Sequence, residues 1–128
     1  LKKMNYSAYT VLNAERLELS MLEQCDCVLY PTDSRGIDQD LAYRRVSNVC
    51  NLLKNEDTKV YGKRIDSTLR GNLGAEVDAM LESLGEDYVA IVVACFPTSS
   101  RIVLGGYMLV EGLPLHKTDI AIDPNTGK

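Results

Sequence analysis

Residues Tyr88 to Phe96 read Tyr-Val-Ala-Ile-Val-Val-Ala-Cys-Phe, an almost unbroken apolar run rich in β-branched side chains. A strand with one wet face alternates polar and apolar residues. An unbroken run predicts a strand covered on both faces, and so a central place in a sheet flanked by helices. The surrounding chain alternates accordingly. Tyr6 to Leu12 is a candidate strand, and Asn13 is placed to cap a helix over Ala14 to Gln24. A strand over Asp26 to Tyr30 stops at Pro31, and Asp38 then caps a helix with Ala42, Val46, Val49 and Leu53 at helical spacing. That spacing turns Arg44, Arg45 and Asn48 toward solvent. A short strand over Lys59 to Ile65 leads to a helix over Gly71 to Leu84, with an apolar stripe of Leu73, Val77, Met80, Leu81 and Leu84 and Gly85 as its C-cap. Beyond Pro97 the pattern changes: Gly105-Gly106, Tyr107 to Val110, Glu111-Gly112 and Leu113 to Leu115 read as a small hairpin turning at Glu111-Gly112. The expected fold is α/β, a three-layer Rossmann-like domain with a mostly parallel sheet and a small C-terminal β-hairpin.

At 128 residues, with 45% hydrophobic and 25% charged side chains, the chain is expected to form a single domain. Its net charge of -4 argues against broad binding to nucleic acid or to anionic membranes. Cys25, Cys27, Cys50 and Cys95 form no Cys-x-x-Cys, and His116 is the only imidazole. Buried, reduced thiols are therefore expected, with no metal site and a cytoplasmic location. No apolar run is long enough to span a membrane. The chain begins at Leu1 and ends in the turn chemistry of Asp123 to Lys128, which reads as a fragment, residues 1–128, of a larger protein.

Two polar loops follow predicted strands, Thr32 to Gly36 and Asp66 to Asn72, and each holds an acid, hydroxyls and an arginine. In a parallel sheet the C-terminal ends of the strands share one edge, where ligands bind. Arg35 and Arg70 offer planar forks for a carboxylate or phosphate. Ser34, Ser67 and Thr68 suit a polyhydroxylated ligand, and the helix starting near Gly71 adds free N–H groups. The competing reading pairs Arg35 with Asp33 and Arg70 with Asp66, leaving the hydroxyls as turn caps. Arg101, after the predicted central strand, is equally well a site residue or a surface charge. His116 has no nucleophile pattern beside it and reads as solvent-exposed. A P-loop, a Gly-x-Gly-x-x-Gly, a Gly-x-Ser-x-Gly elbow and a His-Glu-x-x-His helix are all lacking.

The run Lys63-Arg64-Ile65-Asp66-Ser67-Thr68-Leu69-Arg70-Gly71-Asn72-Leu73-Gly74-Ala75-Glu76 closely resembles the signature of the four-carbon acid sugar kinase family, in its N-terminal, substrate-binding domain. Thr32-Asp33-Ser34-Arg35 is similar to that family's Thr-Asp-Ser-Arg loop. Phe96-Pro97, Arg101, Gly105-Gly106-Tyr107, Val110, Gly112-Leu113-Pro114-Leu115, Thr118 and Asp123-Pro124 follow its later pattern in order. The chain departs from the family in lacking an Asp-Asp-x-Thr-Gly-Ala loop and in carrying Ser100 where glycine is common before the arginine.

The resemblance implies an ATP-dependent kinase that phosphorylates the terminal hydroxyl of a four-carbon sugar acid such as threonate, erythronate or 3-oxo-tetronate. By that resemblance Ser34, Arg35, Asp66, Ser67, Thr68 and Arg70 contact the sugar acid, with Lys63 in support and Arg101 as an additional contact. Asp66 is the candidate catalytic residue. ATP and Mg2+ belong to a C-terminal nucleotide-binding domain, so the chain alone is expected to be inactive. A non-catalytic sugar-acid-binding or regulatory module is the alternative. Tyr107 to Leu115 is either an edge pairing with a second subunit in a homodimer or a hairpin folded on its own domain.

Overall fold

The structure is a computed structural model that describes residues 2–12, 20, 24–124 and 127. It divides into two compact units, Leu1–Thr32 and Asp33–Lys128. In the first, β1 (Ala8–Thr10) and β2 (Cys27–Leu29) pair in parallel, with Tyr9 opposite Val28. Both expected strands are present in shortened form. The helix expected over Ala14 to Gln24 falls almost wholly outside the described residues. Asp26 ties the start of β2 to the start of β1, its carboxylate accepting from the Ser7 N–H at 2.8 Å and the Ser7 hydroxyl at 2.7 Å. These bonds to the charged form hold its pKa below the usual carboxylate value.

The second unit is built on two helices, α1 (Gln39–Leu53) and α2 (Leu73–Leu84). Asp38 caps α1 as expected, Oδ1 accepting from the N–H groups of Asp40 at 3.0 Å and Leu41 at 3.3 Å. Val46 and Cys50 of α1 meet Ala79 of α2 in the core, with Tyr43 and Met80 packed against them. Ala79 is completely buried, and its small side chain lets the helices approach closely. The larger residues of the expected α2 stripe, Leu73, Val77, Met80 and Leu81, flank this contact half-buried. Lys54 closes the pair, donating from Nζ to the carbonyls of Ser83 at 3.1 Å and Leu84 at 2.9 Å, at the negative end of the α2 dipole.

The expected C-terminal hairpin is present with an additional strand. β3 (Arg101–Leu104), β4 (Tyr107–Val110) and β5 (Leu113–Pro114) form an antiparallel meander. Its two turns, Gly105-Gly106 and Glu111-Gly112, each have positive φ at both central residues, the geometry that matches strand twist in two-residue loops.

The sheet differs from expectation. Neither Tyr88 to Phe96 nor Lys59 to Ile65 enters a strand among the described residues; Phe96 alone makes a bridge, to Arg101. Val89 is 84% exposed and Ile91 86%. The observed architecture is thus a mixed α/β chain with a two-stranded parallel and a three-stranded antiparallel sheet. β-branched residues favour extended backbone, but a ladder needs a partner strand, and composition does not supply one. The cysteines differ as well: Cys50 is buried, Cys25 and Cys27 are half-buried, and Cys95 is exposed. Burial pushes the Cys50 thiol pKa up. Among the described residues no helix is long and apolar enough to cross a membrane.

Candidate functional site

The two polar loops each lead into a helix of the second unit, and three contacts hold them together. Asn72 donates from Nδ2 to the carbonyls of Ser34 at 2.8 Å and Ile37 at 2.9 Å. Gly71, at φ +104°, approaches so closely that a Cβ there would lie 3.1 Å from Cγ of Arg35. Glu76 on the buried face of α2 accepts from the Ser34 hydroxyl and lies 3.1 Å from Nζ of Lys63. Asn72 occupies the N-cap of α2 yet makes no side-chain capping bond. Its amide serves the neighbouring loop instead.

Asp66 organises the second loop. Its Oδ2 accepts from the Thr68 hydroxyl at 2.5 Å and Arg70 Nε at 2.7 Å, while Arg70 Nη2 donates to Oδ1 at 3.1 Å. The bidentate Arg70 contact, then Thr68, outweighs burial and holds the Asp66 pKa well below the usual carboxylate range. The same pairing raises the pKa of Arg70. Asp66 is therefore a firm anchor and a weak proton acceptor. Arg35 reaches Asp66 with Nη1 at 3.9 Å, but its closer partner is Asp123, whose Oδ2 accepts from Nε at 2.8 Å and Nη2 at 2.6 Å.

Arg101 enters from the third side. The Phe96–Arg101 bridge and a short 3-10 turn at Pro97–Ser99 bring the chain round through Ser100, which sits in the left-handed region at φ +54°. Glycine adopts this backbone region without the Cβ clash. Arg101 Nη1 donates to the Ser67 hydroxyl at 3.1 Å, and its Nε is buried without a hydrogen-bond partner.

In the second unit Arg35, Asp66, Thr68 and Arg70 join one group with Asp123, Ser34 and Lys63 meet at Glu76, and Ser67 meets Arg101. The competing reading is realised for Arg70, which pairs with Asp66. It is not for Arg35, which reaches Asp66 and Asp123, while Asp33 offers its carbonyl to Arg45. His116 is exposed. Sequence reasoning missed Glu76, Asn72 and Asp123. Glu76 had a signal, a carboxylate within helical spacing of Ala75 and Ala79 on an apolar face. Asp123 had none beyond its place before Pro124. Chemically, the arrangement joins guanidinium, ammonium and hydroxyl groups at the heads of two helices, a setting for a small hydroxylated anion. Among the described residues no group of three or more His, Cys, Asp or Glu could hold a metal ion.

The chain is similar to several known proteins. The chain is 46% identical over 126 residues to D-erythronate kinase of Heliobacterium modesticaldum, covering 98% of this chain and 29% of that protein. It is 36% identical over 107 residues to D-threonate kinase of Salmonella typhimurium, covering 80% of this chain and 24% of the relative. The match to 3-oxo-tetronate kinase of Actinobacillus succinogenes is 35% over 105 residues, covering 79% and 25%. The chain thus spans less than a third of the length of these relatives. Among solved structures it is similar to a domain of unknown function from Bordetella bronchiseptica, crystallised with bound citrate as a domain-swapped dimer. The TM-score is 0.86 and the identity 29%, over 96% of this chain and 32% of that one. The sequence profile of the sugar-binding N-terminal domain matches residues 1–128. With its loops, its helices and its full length accounted for in this way, the chain belongs to the family of sugar-binding N-terminal domains.

Proposed function

We propose that this chain is the substrate-binding part of an ATP-dependent kinase that phosphorylates the terminal hydroxyl of a four-carbon sugar acid of the erythronate, threonate or 3-oxo-tetronate type. The observation that carries the reading is the convergence of Arg35, Lys63, Arg70 and Arg101 with the hydroxyls of Ser34, Ser67 and Thr68. Cationic side chains supply charge for a carboxylate, and the hydroxyls match a polyol. The relatives, named as kinases of such acids, support the same substrate class.

The chain's own share of the reaction is binding and orientation. The basic side chains fix the carboxylate end of the ligand, and Asp66, held by Arg70 and Thr68, orients the far hydroxyl by accepting from it. ATP and Mg2+ do not fit these residues: Asp66, Glu76 and Asp123 each meet a cationic side chain, and the sequence has no glycine-rich phosphate loop. The nucleotide belongs to a C-terminal domain of the same protein, in the cytoplasm. Calorimetry of the full-length protein with D-erythronate, D-threonate and 3-oxo-tetronate, followed by phosphate-transfer assays with Mg-ATP, tests the reading. Binding followed by turnover supports a kinase. Binding without turnover favours the regulatory module, and no binding of any of the three acids sinks both.

The exposed run from Val89 to Val93 supports a proposal about assembly. We infer that it is a sheet strand that gains its neighbours in the assembled protein, completing a mostly parallel, three-layer Rossmann-like sheet. A homodimer with exchanged segments, as in the Bordetella structure, satisfies this need. Light scattering on the purified protein tests it; a soluble monomer at all concentrations would overturn the dimer.

A further inference from the structure

Leu69 stands between Thr68 and Arg70 in the second site loop with φ +61°. For an L-residue this left-handed region drives Cβ against the following carbonyl oxygen, and glycine, asparagine and aspartate are the residues that enter it readily. Leu69 carries the one apolar side chain with positive φ among the described residues. It is also 43% exposed, so its packing returns little for the strain. The compensation comes from Asp66. The Asp66 carbonyl accepts from the Leu69 N–H at 3.0 Å. Its Oδ2 accepts from the N–H groups of Thr68 at 3.3 Å and Arg70 at 3.4 Å, from the Thr68 hydroxyl at 2.5 Å and from Arg70 Nε at 2.7 Å, and Oδ1 takes Arg70 Nη2 at 3.1 Å. One carboxylate thus grips the residues on both sides of the strained one. Charge-assisted bonds of this kind over-determine a backbone that leucine by itself disfavours.

We propose that Leu69 is a positioning residue of the sugar-acid site: its left-handed backbone turns Arg70 back onto Asp66, and the Asp66 carboxylate latches the turn against its own strain. The pairing takes Nε and Nη2 of Arg70 and leaves Nη1 for a ligand oxygen, so the guanidinium is fixed before the ligand arrives. Glycine at this position would keep the turn whether or not Asp66 held it. Leucine makes the turn conditional: once the latch is lost, the strain opens the loop and Arg70 leaves its place. Asp66 therefore acts on binding through the turn as well as through the ligand hydroxyl. This rests on the sugar-acid reading above and deepens it.

The test is a double-mutant cycle read in affinity. Dissociation constants are measured by calorimetry on the full-length protein, with whichever of the three sugar acids the parent binds most tightly, at a temperature where circular dichroism shows every variant folded. Asp66→Asn is expected to weaken binding about tenfold or more. Adding Leu69→Asn, which makes the left-handed turn easy without the latch, is expected to restore about fivefold or more of that loss, a gain far larger than the same substitution brings to the parent. Leu69→Ala keeps the strain and restores nothing. Glu111→Asn relieves the same kind of strain at φ +52° in the turn between β4 and β5, and it too restores nothing if the effect belongs to the site loop and not to general stability. If Asp66→Asn binds as the parent does, if Leu69→Asn gains no more there than in the parent, or if either control restores as much, the inference is wrong while the sugar-acid reading stands. If the folded parent binds none of the three acids, the reading itself falls, and this inference with it. Should Asp66→Asn fail to fold, Thr68→Val, which removes one bond of the latch and keeps the side-chain shape, takes its place in the same comparison and decides the matter in the same way.

Discussion

Lys63 and Glu76 form an ion pair at 3.1 Å, with side chains 17% and 6% exposed, and the same carboxylate accepts from Ser34. Removing one partner of so buried a pair leaves the other charge without compensation. Glu76→Ala is therefore expected to cost about 3 kcal/mol of unfolding free energy, read from the midpoint of urea denaturation. Lys63→Met added to Glu76→Leu should recover part of that loss. If Glu76→Ala unfolds as the parent does, the pair contributes nothing.

The depressed pKa of Asp66 makes a claim about acid stability. A carboxyl whose folded pKa lies below its unfolded value of 3.8 contributes stability that is fully present above that value and is lost as pH falls through the folded one. Stability of the parent should thus decline as pH drops below about 4. In Asp66→Asn this part of the decline is absent, so the two unfolding curves converge toward low pH. Thermal unfolding across pH 2 to 7 measures the difference, and parallel curves would count against the pairing.

Asn72 ties one loop to the other through two carbonyls, at 2.8 and 2.9 Å. Asn72→Ala should cost about 2 kcal/mol, since two partly buried acceptors lose their donor. It should also weaken sugar-acid binding, because Ser34 and Arg35 lose their brace. Stability and calorimetric affinity measured on the same variant separate the two effects. Unchanged affinity would show that the loop positions itself.

Ser100 holds a left-handed backbone at φ +54°. Glycine adopts that conformation without the Cβ clash, although it also gives the unfolded chain more freedom. Ser100→Gly is expected to raise the unfolding midpoint by about 2 °C, a net gain on the order of 0.5 kcal/mol. A lower midpoint would mean that the serine side chain contributes more than the strain costs.

Local chemistry was legible in the chain because it acts over a few residues. Asp38 as the cap of α1, Gly85 as the close of α2, and the Glu111-Gly112 turn all follow from backbone groups that neighbouring residues must satisfy. β3 was overlooked because Arg101 to Leu104 follows directly on the hydroxyl-rich 98–100 turn and reads as its continuation. The two site loops were likewise readable, since acid, hydroxyl and arginine recur in each.

Tertiary structure decided which charges meet. Arg35 lies two residues from Asp33, yet it pairs with Asp123, 88 positions along the chain, because chain folding and not sequence separation brings carboxylates to a guanidinium. Glu76 meets Lys63 and Ser34 only because the packing of α2 turns its face toward them. The apolar run Tyr88 to Phe96 shows the same limit from the other side: composition specified residues fit for a buried strand, while pairing and burial depend on neighbours that only the assembled fold provides. Sequence alone determined the kinds of groups and their local backbone. Their partners are properties of the folded whole, since electrostatic and packing energies depend on distance in space.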